Sequence, residues 1–294
     1  MSKCLLCPRR CGADRARGEL GFCREGNEMR VARYSLHMWE EPPITGERGS
    51  GTIFFSGCNL RCEFCQNRAI SHSSELGKTV SVNELCKIML ELCDMGAENI
   101  NLVTPTHFAD KIEEALSKIK GELPVPVVYN SSGYENVETL RSLDGLVDVY
   151  LPDFKYYSNE IAEKYSSAPN YREHAEAAIT EMFRQAGKAF IDDRGIMKKG
   201  LIVRHLVLPS HRRDSMDVLK RLSEILPKED FFISLMSQYT PDFATKANSP
   251  HKVLHRKLTS FEYDSVLDFA SGLGLNGFSQ DRSSSTATYT PDFN

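Results

Sequence analysis

From residue 52 onward the chain alternates short apolar runs with longer amphipathic stretches. The runs cover 52–55, 100–103, 125–129, 147–151, 201–207, 231–235 and 276–279. Each is four to seven residues long and rich in β-branched or aromatic side chains. Unbroken apolar character over so few residues predicts strands buried on both faces, as in a parallel sheet. Between them lie helical patterns. Ser81-Val82-Asn83-Glu84 reads as a capping box, opening a helix with Leu85, Ile88, Met89 and Leu92 on one face. Further helices are predicted near 108–119, 137–143, 171–186, 215–226 and 260–273. Strand–helix alternation of this kind implies βαβ units with right-handed crossovers. About six units predict an α/β fold of partial (β/α)6 TIM-barrel type, with an open doubly wound sheet as the alternative.

The flanks read differently. Residues 1–50 are rich in Arg, Gly and Pro with little periodicity, and are expected to form a cysteine-rich, metal-binding extension. Residues 51–280 form the barrel, and 281–294 a polar tail. The string YTPDF occurs at 239–243 and again at 289–293, in unlike contexts, so no repeat architecture follows.

Composition narrows the class. Hydrophobic residues make up 41% and charged residues 26% of 294, ordinary for a globular protein. The net charge of −4 gives no electrostatic case for nucleic acid, and no apolar run is long enough to span a membrane. The first residues lack the apolar core of a secretory signal, so a cytoplasmic location is expected. There, nine cysteines point to metal binding or catalysis rather than disulfides.

Three of them follow the first strand as Cys58-x3-Cys62-x2-Cys65. Thiolates are the soft ligands an iron–sulfur cluster takes, and three on a four-iron cubane leave one iron open for a small molecule. The spacing taken alone also admits a zinc knuckle completed by a nearby His or Cys. A second set, Cys4, Cys7, Cys11 and Cys23, supplies four thiols among Pro8, Gly12, Gly18 and Gly21. Four thiolates suit zinc or a closed second [4Fe–4S] cluster. Zinc is the preferred reading for a small Gly-rich segment without a core, and unligated thiols are the alternative. Cys86 and Cys93 fall on nearly one face of the capping-box helix, where core packing is their expected role. The arginines of the extension read as a solvated or docking face.

Several apolar runs end in polar residues, as barrel strands do at a catalytic face. These are Thr104-Pro105-Thr106-His107, Asn130-Ser131-Ser132, Asp153-Phe154-Lys155, Arg204-His205 with His211 beyond, and Ser237-Gln238-Tyr239.

The segment GSGTIFFSGCNLRCEFCQN resembles the radical S-adenosylmethionine (SAM) signature, with Phe64 in the aromatic place. It is similar to the enzymes that activate pyruvate formate-lyase and other glycyl-radical enzymes. Through WEEPPITG, NINLVTPTHF, VVYNSSGY, YLPDFKY and VRHLVLP, residues 1–280 resemble the PflX-type branch of that family. The resemblance implies that Cys58, Cys62 and Cys65 are catalytic ligands of a [4Fe–4S] cluster whose open iron chelates SAM. One-electron cleavage would then yield methionine and a 5′-deoxyadenosyl radical. It implies an oxidoreductase reduced by a flavodoxin or ferredoxin, and a glycyl-radical enzyme as a partner. The alternatives are a small molecule or another macromolecule as substrate, or a non-catalytic iron–sulfur or zinc protein.

It also implies SAM-binding roles for Phe64 beside the adenine, Asn67 near the cluster, and Asn130, Asp153, Lys155 and His205 at ribose and carboxylate. Each has a plainer reading: a helix cap for Asp153, a solvated charge for Lys155, a core histidine for His205. The family's Gly-Gly-Glu motif, which binds the SAM amino group, is replaced here by Thr104-Pro105-Thr106-His107. The hydroxyls of Thr104 and Thr106, or backbone carbonyls, are the expected substitutes. Activases with extra clusters place them after the radical SAM cysteines, unlike the N-terminal set here.

Overall fold

The computed structural model describes residues 3–73, 76–245, 247 and 249–280. The predicted polar tail at 281–294, with the second YTPDF copy, lies outside the described residues. In chain order the elements are β1 (Met29–His37), α1 (Pro42–Thr45), β2 (Ser50–Phe55), α2 (Arg68–Ser71), β3 (Lys78–Val80), α3 (Val82–Asp94), β4 (Ile100–Val103) and α4 (Ala109–Ile119). There follow β5 (Val127–Ser131), α5 (Val137–Arg141), β6 (Val149–Pro152), α6 (Asn159–Ser166), α7 (Tyr171–Ala186), β7 (Phe190–Ile191), β8 (Met197–Leu206), α8 (Arg212–Ile225), β9 (Phe232–Met236), α9 (Ser260–Gly272) and β10 (Gly277–Ser279).

The seven runs expected to pair in parallel do so, in the order β2-β4-β5-β6-β8-β9-β10. Each new strand lies on the same side of the last. A doubly wound sheet reverses direction at a switch point, and this order has none. The sheet does not close on itself: β10 forms one edge, and antiparallel β1 and β3 extend the other. The architecture is a partial TIM barrel.

Register and side-chain alternation assign the two faces. Ile53, Leu102, Tyr129, Tyr150 and Leu201 stand side by side across five strands, all buried in the large core that also takes the apolar faces of α3, α4, α7, α8 and α9. Their neighbours point the other way. Val128, Val149, Leu151 and Ile202 join Ile44 of α1 and Met197 in a second, smaller core on the inner face. That plug fills one part of the interior and leaves a polar region elsewhere on the same face.

The capping box at α3 forms in full: Glu84 N donates to Ser81 Oγ at 3.2 Å and Ser81 N to Glu84 Oε2 at 2.7 Å. Leu85, Ile88, Met89 and Leu92 are buried beneath it, each stabilising the packed state by about 1.5–3 kcal/mol over exposure.

Residues 29–50 depart from the expected extension. β1 pairs with β2 from Val31↔Phe55 to His37↔Ser50 and buries Met29 and Val31 in the main core. Beyond Val31 its side chains are half-buried or exposed, which dilutes the period-two signal. Among the described residues no helix is long and apolar enough to cross a membrane.

Candidate active site

β2 is buried along its whole length and delivers the chain at Ser56-Gly57 to the three-cysteine loop. Gly57 has φ +78°, and a Cβ there would lie 2.6 Å from Cys23 O and 2.7 Å from Glu25 Cγ, so only glycine fits the turn. The loop is then tied to the C-terminal end of α6. Arg61 N donates to Ser166 O at 3.0 Å and Glu63 N to Tyr165 O at 2.9 Å. Asn59 Nδ2 donates to Tyr134 O at 2.7 Å.

The three thiols border one cavity of about 610 Å³, within the roughly 300–1,000 Å³ of small-ligand sites. Leu60 N donates to Cys58 Sγ at 3.3 Å, Ser166 Oγ to Cys62 Sγ at 3.0 Å, and Ser71 Oγ lies 3.2 Å from Cys65 Sγ. Burial pushes all three thiols up, Cys62 to about 11. At Cys58 the neighbouring thiols add to the effect. Three closely set sulfurs, buried or half-buried, with N–H and O–H donors nearby become thiolates when a cationic centre sits among them. The donor set therefore fits an iron–sulfur cluster, with three protein ligands facing open space.

The rest of the cavity is built at the strand ends. Thr104 follows β4, Asn130 lies near the end of β5, Asp153 and Lys155 follow β6, and Arg204 comes from β8. Arg204 is the hub. Its Nε donates to Asp153 Oδ1 at 3.0 Å, Nη2 to Asn130 Oδ1 at 2.5 Å, and Nη1 lies 3.4 Å from Glu40 Oε2. Lys155 Nζ donates to Asp153 Oδ2 at 2.6 Å. Glu40 Oε1 accepts from Asn101 Nδ2 at 3.0 Å and Asn130 Nδ2 at 3.3 Å. Burial alone would raise the Asp153 carboxyl, but Arg204 and Lys155 outweigh it and hold it below its usual range. Burial opposes the Lys155 charge, and Asp153 outweighs that. Glu40 is pushed up by burial in spite of Arg204.

Of the residues expected to meet SAM, the structure brings Phe64, Asn67, Thr104, Asn130, Asp153 and Lys155 to the cavity wall with Cys58, Cys62 and Cys65. Asp153 and Lys155 form a largely buried ion pair rather than a helix cap and a solvated charge. Two expected residues lie elsewhere. Thr106 Oγ1 donates to Glu135 Oε1 at 2.6 Å and is buried away from the cavity. His205 is 1% exposed, its ring nitrogens engaged by Phe154 O at 2.7 Å and Ser215 Oγ at 2.8 Å, so it is a satisfied core histidine. Alternation along β8 explains this: His205 shares the helix-facing side with Leu201 and Val203, and Arg204 faces inward.

Sequence reasoning named Arg204 only as part of a polar strand end and gave Glu40 no role, although both lie in the quoted strings VRHLVLP and WEEPPITG. The two-residue period of β8 could have found Arg204. Glu40 carries no local signal. Thr104 has φ +60°, the left-handed region glycine enters freely and a β-branched residue rarely does. The position that follows β4 thus keeps a glycine-like backbone while bearing a threonine.

The family model of the radical SAM superfamily matches residues 52–227. An uncharacterized protein of Methanocaldococcus jannaschii is 32% identical over 288 residues, covering 93% of this chain and 75% of the relative. Among solved structures, SuiB of Streptococcus suis bound to S-adenosylmethionine superposes with a TM-score of 0.53 at 11% identity, covering 76% of this chain and 48% of SuiB. A variant of spore photoproduct lyase gives a TM-score of 0.55 at 11% identity, covering 85% and 80%. The chain spans about half the length of SuiB, and at such identities the likeness is one of fold.

Proposed function

This chain belongs to the radical SAM superfamily, and from that premise we propose that it cleaves SAM at a [4Fe–4S] cluster held by Cys58, Cys62 and Cys65. The observation that carries the reading is that three thiols, one buried and two half-buried, line one cavity together with the strand-end residues. When bound, the cluster and SAM supply a one-electron cleavage that gives methionine and a 5′-deoxyadenosyl radical.

The chain's own residues bind, orient and shield. Lys155 presents an ammonium for the SAM carboxylate, and Asp153, held ionised by Arg204, offers acceptors for ribose hydroxyls. Asn67 and Asn130 add neutral polar groups, and Phe64 an aromatic edge, packed on Tyr239 at 5.9 Å between ring centroids. Thr104, through its hydroxyl and the carbonyls of its left-handed turn, takes the place of the missing carboxylate opposite the SAM ammonium. The buried apolar shell behind the sulfurs keeps water from competing.

The substrate we favour is a glycine in a partner glycyl-radical enzyme, with electrons from a flavodoxin or ferredoxin in the cytoplasm. This rests on the resemblance of the Cys58–Cys65 segment to the activases, and the open sheet leaves an edge by which a protein segment can approach. The test is anaerobic reconstitution, reduction and addition of SAM, with methionine and 5′-deoxyadenosine measured together. Equimolar products, lost in Cys58→Ala, support SAM cleavage. Adding a glycyl-radical enzyme from the same source should then produce its glycyl signal by EPR. Absence of products in the reconstituted protein overturns the reading, and products without a glycyl signal move the substrate to another class.

A further inference from the structure

The N-terminal cysteines have no part in that chemistry, yet backbone turns bring their segments toward one another. Cys4 N donates to Ala13 O at 3.0 Å and Gly12 N to Cys4 O at 3.1 Å, which folds the segment bearing Cys11 back onto Cys4. A second turn, with Arg24 N on Gly21 O at 2.9 Å and Gly21 N on Glu25 O at 3.0 Å, brings Cys23 round. A Cβ on Gly21 would lie 3.2 Å from Cys23 Sγ and 3.3 Å from Cys11 Sγ, so these two thiols sit close together on either side of a residue whose side chain would crowd both. Cys7 is buried in the same segment, where Arg10 N donates to its carbonyl at 3.0 Å in a turn between Cys4 and Cys11.

Two further observations point to a ligand. Arg15 spends its guanidinium on sulfur: Nη2 donates to Cys23 Sγ at 3.2 Å while Nη1 is anchored on His107 O at 2.6 Å, and Nη2 also borders the Gly21 position that Cys11 and Cys23 flank. A cation set beside these two thiols compensates thiolate charge. The segment also has almost no apolar interior. Among the described residues before Met29 the buried hydrophobic positions are Cys7, Ala13 and Cys23, while Leu5 and Leu20 are exposed. A segment so poor in core needs a cross-link, and a metal supplies one.

The set is also interlocked with the catalytic loop. Arg9 Nε donates to Asn59 O at 2.7 Å, next to Cys58, and its guanidinium stacks 3.8 Å over Phe22. Arg61 covers Phe22 at 4.8 Å and donates to Phe22 O at 2.7 Å. The carbonyl of Cys23 packs on Gly57, the residue before Cys58.

We propose that Cys4, Cys7, Cys11 and Cys23 form a second, closed four-thiolate metal centre, for zinc or an iron–sulfur cluster, whose occupancy holds the Cys58 loop in its working shape. This assignment is independent of the SAM reading. The full-length triple variant Cys58→Ser, Cys62→Ser, Cys65→Ser removes the first cluster and leaves only the second site. Loaded anaerobically with zinc alone, or with iron and sulfide, it should retain about one zinc or about four irons per chain by mass spectrometry of the metals. Adding Cys4→Ser and Cys23→Ser should abolish retention, and the better-retained load identifies the centre. No retention of either load, or retention indifferent to the N-terminal cysteines, overturns the proposal. A second measurement serves if the triple variant does not fold. Cys4→Ser with Cys23→Ser in the otherwise native chain should lose the same metal and alter the EPR spectrum of the remaining cluster, whereas unchanged metal content and spectrum contradict it.

Discussion

Replacing Arg204 by methionine tests the buried charge network under the cavity. The side chains of Arg204, Asp153 and Glu40 are 15%, 12% and 9% exposed, which sets this cluster apart from surface pairs worth about 0–1 kcal/mol. Methionine fills much of the same volume, so the loss is mainly of charge and hydrogen bonds. Asp153 keeps Lys155, but Glu40 is left with only the two asparagine amides. Removing one partner of a buried pair costs about 3–5 kcal/mol, and at about 2–4 °C per kcal/mol the melting temperature should fall by roughly 6–20 °C.

The sign with pH follows from the two carboxyls. Asp153 is held low in the folded state, so its contribution is present above the unfolded carboxylate pKa and lost as pH falls through the folded value. Glu40 is held high, so it costs stability as pH rises from its unfolded toward its folded value, and without Arg204 it moves higher still. Both effects make Arg204→Met more damaging at pH 7 than at pH 4. Adding Glu40→Gln, which needs no counter-cation, should restore part of the loss. The assay is denaturant unfolding of the native and variant chains at both pH values. A variant within about 0.5 kcal/mol of the parent at pH 7, the range of ordinary surface changes, would refute the reasoning.

Gly57→Ala should lower iron retention and stability together, because a left-handed φ alone costs about 1–2 kcal/mol and the new Cβ meets Cys23 O; iron content and melting temperature check it. Ser166→Ala removes the hydroxyl donated to Cys62 Sγ and should lower the cluster's midpoint potential, read by EPR-monitored titration; an unchanged potential contradicts the contact. Burial holds His205 neutral, at about 4, below its ordinary value, so the folded state loses stability as pH falls from about 6.5 toward 4. His205→Gln should flatten that part of the acid-unfolding profile and leave SAM affinity unchanged, whereas a large change in SAM affinity would return His205 to the site.

The parallel strands were legible because strands buried on both faces become unbroken apolar runs, and the structure places them within a few residues of those runs. β1 was not, because past Val31 it carries Arg33, Tyr34 and Ser35 on a partly solvated surface, so no run stands out. α6 escaped notice for a similar reason: eight residues give only Ile161, Ala162 and Tyr165 to the core side. The three-cysteine loop was legible from spacing, since its ligands are local in sequence. The cavity's charge network was only half so. Asp153 and Lys155 end a strand where the pattern points, but Glu40 reaches Arg204 across 164 positions, a pairing no local pattern records. At β8 the adjacent polar pair Arg204-His205 needed the strand's two-residue period to decide which faced inward. Thr104 and Thr106 were likewise inseparable until backbone geometry sent one to the cavity and the other to Glu135.

The central claim is that Cys58, Cys62 and Cys65 hold a cluster with an iron open to SAM, and EPR of the anaerobically reconstituted, reduced chain with and without SAM tests it most directly. Any signal from a cluster at the N-terminal set is recorded separately in the Cys58→Ser, Cys62→Ser, Cys65→Ser variant and subtracted, so that the comparison concerns only the remaining signal. The account predicts a reduced-cluster signal that changes when SAM is added and is absent in Cys58→Ala. A signal that survives Cys58→Ala, or one indifferent to SAM, would contradict it.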